Sequence, residues 1–242
     1  MSASAAAHRF RLRLWPGLAM LAALAVLLGL GTWQVQRLHW KEGLIAARAA
    51  QLAAPPAPLP AIAADWRGWD FRKVSVRGTF RHDLEQRFGA YAIDGQFGQH
   101  VLTPLVRPGG ATILVDRGFV PADRAPVETR RRGEVTGEVE ITGIARYRGA
   151  DRPGWFTPAN EPATRTWYWY DLPALVQATG LDLPPVVIEA DATPNPGGLP
   201  QGGQTRTELP NDHLQYAITW YGLAAGLVAV YIAFCFEGAR PR

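Results

Sequence analysis

The chain has 242 residues, of which 48% are hydrophobic and 19% are charged, and its formal net charge is +4. Its 25 glycines and 20 prolines disfavour an all-helical fold. The single cysteine, Cys235, excludes an intramolecular disulfide and any Cys-x-x-Cys metal or redox site.

The first predicted element is a membrane span. Residues 14–36 contain no charged side chain, and a run of this length can cross the hydrocarbon core of a bilayer. Trp15 and Trp33 lie near its ends, where aromatic rings favour the headgroup level. Because arginines precede this run, two alternatives stay open at this point: a cleaved secretory signal and a mitochondrial transit peptide.

The region after this span is predicted to be rich in β-strands. A helix is expected to continue from the span to the Pro-rich residues 55–60, which would end it. Apolar patterns then predict strands at residues 71–80, 87–93, 101–106, 111–116, 139–147 and 186–190. Pro108-Gly109-Gly110 predicts a hairpin turn, and residues 172–179 predict a short helix between an Asp171 cap and Gly180. We therefore expect an α+β membrane protein with an antiparallel, barrel-like or sandwich-like sheet and accessory helices.

A second uncharged run, at residues 213–236, predicts another membrane span. Basic residues flank the two runs in the outer tails, residues 1–13 and 237–242, so the positive-inside rule predicts that both termini are cytoplasmic. Residues 37–212 would then form a periplasmic domain enclosed by a transmembrane hairpin. A bacterial inner membrane is the expected location.

The predicted periplasmic domain is electrically balanced. Residues 37–212 carry 20 basic and 20 acidic side chains, so the excess positive charge lies in the tails. Such a domain offers no strongly basic surface, and no nucleic-acid partner is expected. Its large aromatic residues Trp155, Trp167 and Trp169 are expected to pack in the domain rather than to dock a partner.

Motifs of the common enzyme classes are missing from the sequence. Serine occurs at Ser2, Ser4 and Ser75, and none of them lies in a Gly-x-Ser-x-Gly elbow. There is no phosphate-binding loop or dinucleotide fingerprint, and the five histidines form no His-x-x-x-His pair. The sequence therefore does not predict an enzyme.

Four segments in chain order resemble one known family. They are residues 31–41 (GTWQVQRLHWK), 114–121 (LVDRGFVP), 167–172 (WYWYDL) with the preceding Asn160, and 211–220 (NDHLQYAITW). They are similar to segments of the Surfeit locus family of cytochrome c oxidase assembly factors, whose members have a transmembrane hairpin around an outer domain. One departure is Phe119, which stands where many members have Trp.

The resemblance implies a non-enzymatic role in inserting heme a into the catalytic subunit of an aa3-type oxidase, or in stabilising it there. The implied partners are that catalytic subunit, heme a synthase and the lipid bilayer. His213 is the implied ligand of the heme iron, and helical spacing places Tyr216 and Trp220 on the same face. Trp33 would supply an apolar wall, and Arg37 would meet a heme propionate.

Each of these assignments has an alternative. His213 and the neighbouring aromatic residues can form an interfacial belt, with Arg37 reaching to the lipid headgroups. Arg117 can contact the oxidase or a heme propionate, or it can pair with a neighbouring carboxylate at a strand end. For the function, the alternatives are a scaffold that binds oxidase assembly intermediates without contacting heme, and an uncharacterised membrane-anchored enzyme.

Overall fold

The computed structural model describes residues 9–109, 111–148 and 154–237. These residues divide into a helical unit, which extends up to Ala47 and resumes at Glu208, and a sheet unit from Arg48 to Thr207. The described α-helices are α1 (Leu14–Ala53), α2 (Leu172–Thr179) and α3 (His213–Cys235). The described strands are β1 (Arg9–Phe10), β2 (Ala57–Pro58), β3 (Lys73–Phe80), β4 (Gln86–Ile93), β5 (Gln96–Val106), β6 (Ile113–Pro121), β7 (Glu138–Tyr147), β8 (Thr166–Trp167), β9 (Val186–Ala190) and β10 (Phe236–Glu237).

Two long apolar helices form most of the helical unit. α1 has 40 residues and α3 has 23, and each contains a stretch that is long and apolar enough to cross a membrane. Only 11% of each stretch is buried against protein. Apolar side chains exposed along a whole helix are typical of a lipid surrounding, so the two helices fit a membrane protein. α1 ends at Ala53, shortly before Pro55, as the sequence predicts.

Glycines on α1 allow large rings of α3 to approach closely. A Cβ atom on Gly31 would lie 2.8 Å from Cε1 of Tyr221, and a Cβ atom on Gly17 would lie 2.6 Å from Oη of Tyr231. Small residues at such points are common between membrane helices, because they let bulky groups pack against the backbone. These contacts make α1 and α3 neighbours within the helical unit.

Eight strands of the sheet unit form one mixed sheet. Their hydrogen-bonded order is β2-β3-β7-β9-β6-β5-β4-β8, and a further pairing joins β3 to β5. The pairings of β3, β7, β9, β6 and β5 therefore follow a closed circuit. The remaining described strands, β1 and β10, pair with each other in the helical unit.

The longer strands and α2 lie where the sequence predicts them. β3, β4, β7 and β9 lie on the predicted segments, whereas β5 begins five residues before its predicted start, at Gln96, and β6 extends beyond its predicted end to Pro121. The carboxylate of Asp171 accepts a hydrogen bond from the backbone N–H of Ala174 at the start of α2, and Gly180 ends the helix in the left-handed conformation. Gly110 of the predicted hairpin turn lies outside the described residues.

The prediction of an antiparallel sheet is wrong for three strand pairs. The pairings β2–β3, β4–β8 and β6–β9 are parallel. A parallel partner needs a long crossover in the chain, and the connection between β6 and β9 contains β7, β8 and α2. Nothing in the local pattern of either strand predicts which distant strand it will join.

The sheet unit has two hydrophobic clusters on opposite faces of β6 and β9. The first cluster consists of Leu59, Val74, Val76, Phe80, Leu105, Ile113, Val115, Ala145, Val186 and Ile188. The second consists of Phe88, Leu102, Leu114, Trp167, Leu175, Leu183 and Val187, and α2 contributes to it. Because both faces of β6 are covered, its residues from Ile113 to Val120 are all buried, including the polar Asp116 and Arg117.

Candidate functional site

His213 meets Gln34 between the two long helices. His213 is the first residue of α3, and Gln34 lies on α1 with only 9% of its surface exposed. Nδ1 of His213 lies 2.7 Å from Oε1 of Gln34. An amide oxygen can only accept a hydrogen bond, so Nδ1 carries the proton and donates it. Nε2 of the neutral imidazole then keeps the lone pair with which histidine binds a metal ion.

A second polar contact lies two residues away from Gln34 along α1. Oγ1 of Thr32 donates to the carbonyl of Leu28 at 2.8 Å and lies 3.2 Å from Oη of Tyr221. Since the threonine proton is already used, the Tyr221 hydroxyl donates to Thr32. The same Tyr221 ring packs against Gly31. These contacts fix the register of α1 against α3 next to the histidine.

The other predicted site residues of the helical unit make no hydrogen bond or ring contact with His213 in the described part of the chain. The guanidinium carbon of Arg37 lies 4.0 Å from the ring centroid of Trp40, in a cation–π arrangement. Trp33 and Tyr216 are more than half exposed, and Trp220 on α3 is half-buried. Among the described residues, no hydrogen bond or ring contact joins any of these side chains to the imidazole. Their assignment to the site stays a prediction.

Gln34 is the site residue that sequence reasoning missed, although a signal for it exists. Gln34 and Gln36 are the two amide side chains of the uncharged run at residues 14–36. A buried amide in a membrane helix needs a hydrogen-bond partner, since the hydrocarbon offers none. The sequence does not say which amide is buried; in the structure it is Gln34, while Gln36 is exposed.

Arg117 lies inside the sheet unit, where only 2% of it is exposed. Its guanidinium donates to the backbone carbonyl of Gly133 and, at 3.2 Å, to Oδ1 of Asn195, and it lies 4.7 Å from the ring centroid of Phe80. Burial lowers the pKa of Arg117 to about 10, so the side chain stays charged at neutral pH. Neutral oxygens, rather than a carboxylate, hold it. Contact with a partner stays a prediction, and it would require Arg117 to leave these acceptors.

The three tryptophans that the sequence predicts to be packing residues lie in different environments. Trp167 is fully buried, and its Nε1 donates to Oε1 of Gln86 at 2.9 Å. Trp169 is half-buried. The prediction is wrong for Trp155, which is 86% exposed and contacts Phe156 in a tilted arrangement with 4.9 Å between ring centroids. Trp155 and Phe156 therefore form an exposed aromatic pair on the sheet unit.

Comparison with known proteins identifies the family to which this chain belongs. The model of the SURF1 family matches residues 21–225, which include Gln34, Arg117 and His213. The chain is 42% identical over 216 residues to Surfeit locus protein 1 of Mus musculus, which covers 83% of this chain and 69% of the mouse protein. It is 40% identical over 213 residues to the Homo sapiens protein of the same name, covering 81% and 70% of the two chains. A SURF1-like protein of Monosiga brevicollis is 39% identical over 235 residues, covering 92% and 88%. The chain therefore belongs to the SURF1 family.

Proposed function

We propose that this protein is a non-enzymatic assembly factor of an aa3-type cytochrome c oxidase, which assists the insertion of heme a into the catalytic subunit or stabilises it there. Membership of the SURF1 family supports the assembly role. The observation that carries the heme part is the hydrogen bond from His213 to Gln34, because it orients an imidazole and leaves Nε2 available to a metal ion.

The residues present fit a heme. Histidine is a standard axial ligand of heme iron, and a metal-ligating histidine usually donates its other ring N–H to an oxygen acceptor, as His213 does to Gln34. Tyr216 and Trp220 lie on the same face of α3 as His213 and would flank the heme there. Trp33 would contact the heme from α1. The Arg37 guanidinium would neutralise a propionate. Bound heme a supplies an iron centre that exchanges electrons and binds oxygen once it is in the oxidase.

The proposed setting is a bacterial inner membrane with both termini in the cytoplasm and the sheet unit in the periplasm. The positions of basic residues in the tails support this orientation. The proposed partners are the catalytic subunit of the oxidase, which receives the heme, and heme a synthase, which supplies it. The lipid bilayer would surround the exposed apolar side chains of α1 and α3.

The oxidase itself provides the test of this function. Cells would produce the wild-type chain, the His213→Ala variant or the His39→Ala variant, and the heme a content of their purified oxidase would be measured. His39 is a matched control, since it is an exposed histidine of α1 that pairs with Glu42 at 3.2 Å. We expect loss of oxidase heme a with His213→Ala and normal content with His39→Ala. Normal content with both variants would contradict the heme role.

A scaffold that binds oxidase intermediates without contacting heme is the second candidate function. The exposed pair of Trp155 and Phe156 favours it, because large exposed aromatic side chains are enriched where proteins contact partners. Under this alternative, Trp155→Ser would reduce co-purification of oxidase intermediates, whereas His213→Ala would leave both co-purification and oxidase heme a content unchanged. The two candidates therefore differ in whether His213→Ala lowers the heme a content of the oxidase.

A further inference from the structure

A polar cleft of about 710 Å³ opens in the sheet unit. Its lining comes from β4, β5, β6, β7 and β9, from Arg148 after β7, from Tyr170 before α2 and from the segment at residues 204–206. All of these residues belong to the sheet unit, so the cleft is formed without His213 or either long helix. Binding of a ligand in this cleft therefore does not depend on the heme role proposed above.

A buried aspartate–histidine pair lies in the lining of this cleft. Nδ1 of His100 on β5 lies 2.9 Å from Oδ2 of Asp116 on β6, and the two residues are only 7% and 6% exposed. The other carboxylate oxygen, Oδ1, accepts the backbone N–H of Gly118 at 2.9 Å. A carboxylate with two such donors is held firmly, and it fixes the orientation of the imidazole ring.

Both strands next to β5 bulge beside His100. On β6, Arg117 and Gly118 occupy the place opposite a single residue of β5, and Gly118 has a φ of 109°. On β4, Gly89 and Ala90 likewise lie opposite a single residue of β5, and Gly89 has a φ of 70°. Bulges of this kind re-aim neighbouring side chains and are enriched next to functional sites. Here one of them turns Asp116 towards His100, and the other brings the Tyr91 ring to 4.2 Å from the His100 ring.

The carboxylates in the cleft are already paired with protein groups. Asp116 accepts the two hydrogen bonds described above, and Glu189 receives Arg148 on Oε1 and, at 3.6 Å, Arg146 on Oε2. Donors of the lining without a hydrogen-bond partner among the described residues include the exposed guanidinium of Arg206, the Nε–H of Arg148 and the hydroxyl of Tyr91. Burial, with the nearby carboxylates Asp116 and Glu189, raises the pKa of Tyr91 to about 12, so this hydroxyl keeps its proton.

One wall of the cleft is aromatic. Phe88 and Tyr170 stack with 4.1 Å between their ring centroids, and the Tyr91 ring lies in the same lining. Flat apolar groups pack well against such rings. The cleft thus combines unpaired donors, one of them a free cation, with an aromatic wall. A ligand that carries an anionic acceptor and a ring satisfies both.

We infer that this cleft binds a small organic carboxylate that carries an aromatic ring. The carboxylate lies between Arg206 and the Tyr91 hydroxyl, since a guanidinium and a hydroxyl are both good donors to a carboxylate. The ring packs against the edges of Phe88 and Tyr170, because these two rings stack on each other and Arg148 lies over Tyr170. Asp116 acts as a positioning residue, because it holds His100 against the Tyr91 ring and so sets the shape of the cleft.

Isothermal titration of the full chain in nanodiscs tests this inference, with empty nanodiscs as the blank. The probe is 2-naphthoate, and its neutral analogue 2-naphthylmethanol and inorganic phosphate test the carboxylate and the ring separately. Arg206→Gln removes the free cation of the cleft. Arg131→Gln is the matched control, because Arg131 is an exposed arginine of the sheet unit outside the lining.

We expect saturable binding of 2-naphthoate that Arg206→Gln weakens about tenfold and Arg131→Gln leaves unchanged, as loss of a hydrogen bond to a charged group would do. The neutral alcohol and phosphate should each bind about tenfold more weakly than 2-naphthoate. The inference is overturned if the wild type shows no saturable binding of 2-naphthoate up to about 10 mM. Equal effects of the two arginine variants, or equal binding of all three probes, would overturn it as well.

Discussion

Gln34 accepts a hydrogen bond from Nδ1 of His213 across the helix pair, with 2.7 Å between the two heavy atoms. The two residues are far apart in the sequence, but they meet because Tyr221 packs on Gly31 and fixes how α1 and α3 lie against each other. The hydrogen bond between His213 and Gln34 therefore depends on the packing of Tyr221 against Gly31. The first two predictions examine these two contacts separately.

Replacing Gln34 by leucine should release the imidazole without removing it. In the wild type, Nδ1 of His213 carries the proton, whereas Gln34→Leu should give a mixture of both tautomers. The ¹⁵N chemical shifts of labelled histidine would report this change. We also expect the heme a content of the purified chain to fall about tenfold, since such supporting hydrogen bonds change metal affinity by this order. Gln36→Leu alters an exposed amide two residues away and should change neither quantity. Equal shifts in both variants would contradict the role of Gln34.

Adding a side chain at Gly31 should disrupt the helix pair. The Cβ atom of Gly31→Val would lie 2.8 Å from the Tyr221 ring, which costs about 1–3 kcal/mol of stability when overpacking is not relieved. Gly29→Val is the matched control, because nothing lies within 4 Å of a Cβ atom there. Thermal unfolding in detergent should therefore occur at a lower temperature for Gly31→Val than for Gly29→Val. The same unfolding temperature for both would show that this contact does not hold the helices.

Removing the buried cation of Arg117 should destabilise the sheet unit. Arg117→Met leaves the carbonyl of Gly133 and the side-chain oxygen of Asn195 without this donor, at a cost of about 1–3 kcal/mol. Arg77→Met removes an exposed arginine that pairs with Glu140 and should cost less than about 1 kcal/mol. Chemical denaturation followed by tryptophan fluorescence would compare the two free energies of unfolding. A stable Arg117→Met variant would argue that Arg117 serves a partner rather than the fold.

Alkaline pH should weaken the sheet unit through Tyr91. Its pKa is raised from 10.0 to about 12 in the folded chain, so between these values the unfolded chain loses a proton that the folded chain keeps. The stability that this group contributes is complete below pH 10 and is lost as the pH rises through about 12. Urea unfolding measured across this range should show a smaller loss of stability for Tyr91→Phe than for the wild type. Tyr168→Phe, outside the cleft, should behave like the wild type.

Short sequence signals correctly predict the elements whose ends are set by neighbouring residues. The Asp171 cap and Gly180 place α2, and Pro55 places the end of α1. Long-range pairings are different. The partnership of β6 with β9 joins segments about 70 residues apart, and neither strand carries a pattern that identifies the other. This is why the sequence predicts the strands but not the parallel pairings.

Some residues of the candidate sites can also be predicted from local sequence, whereas others depend on tertiary structure. His213 is predictable from its position at the start of an apolar run and from the family resemblance, whereas its partner Gln34 depends on which face of α1 meets α3. The contacts of His100 with Asp116 and with Tyr91 depend on one bulge each, and each bulge contains a glycine with positive φ that an isolated sequence does not distinguish from a turn glycine. Exposure of Trp155 is equally a result of tertiary structure.

The absorption spectrum of the purified chain is the most direct measurement of the central claim. The wild type, His213→Ala and His39→Ala would be produced together with the enzymes that make heme a, purified in detergent and compared at equal protein concentration. We predict a heme a spectrum for the wild type and His39→Ala, and its loss for His213→Ala. A wild-type chain without heme a, or a His213→Ala chain that keeps it, would contradict the proposal that His213 holds the heme.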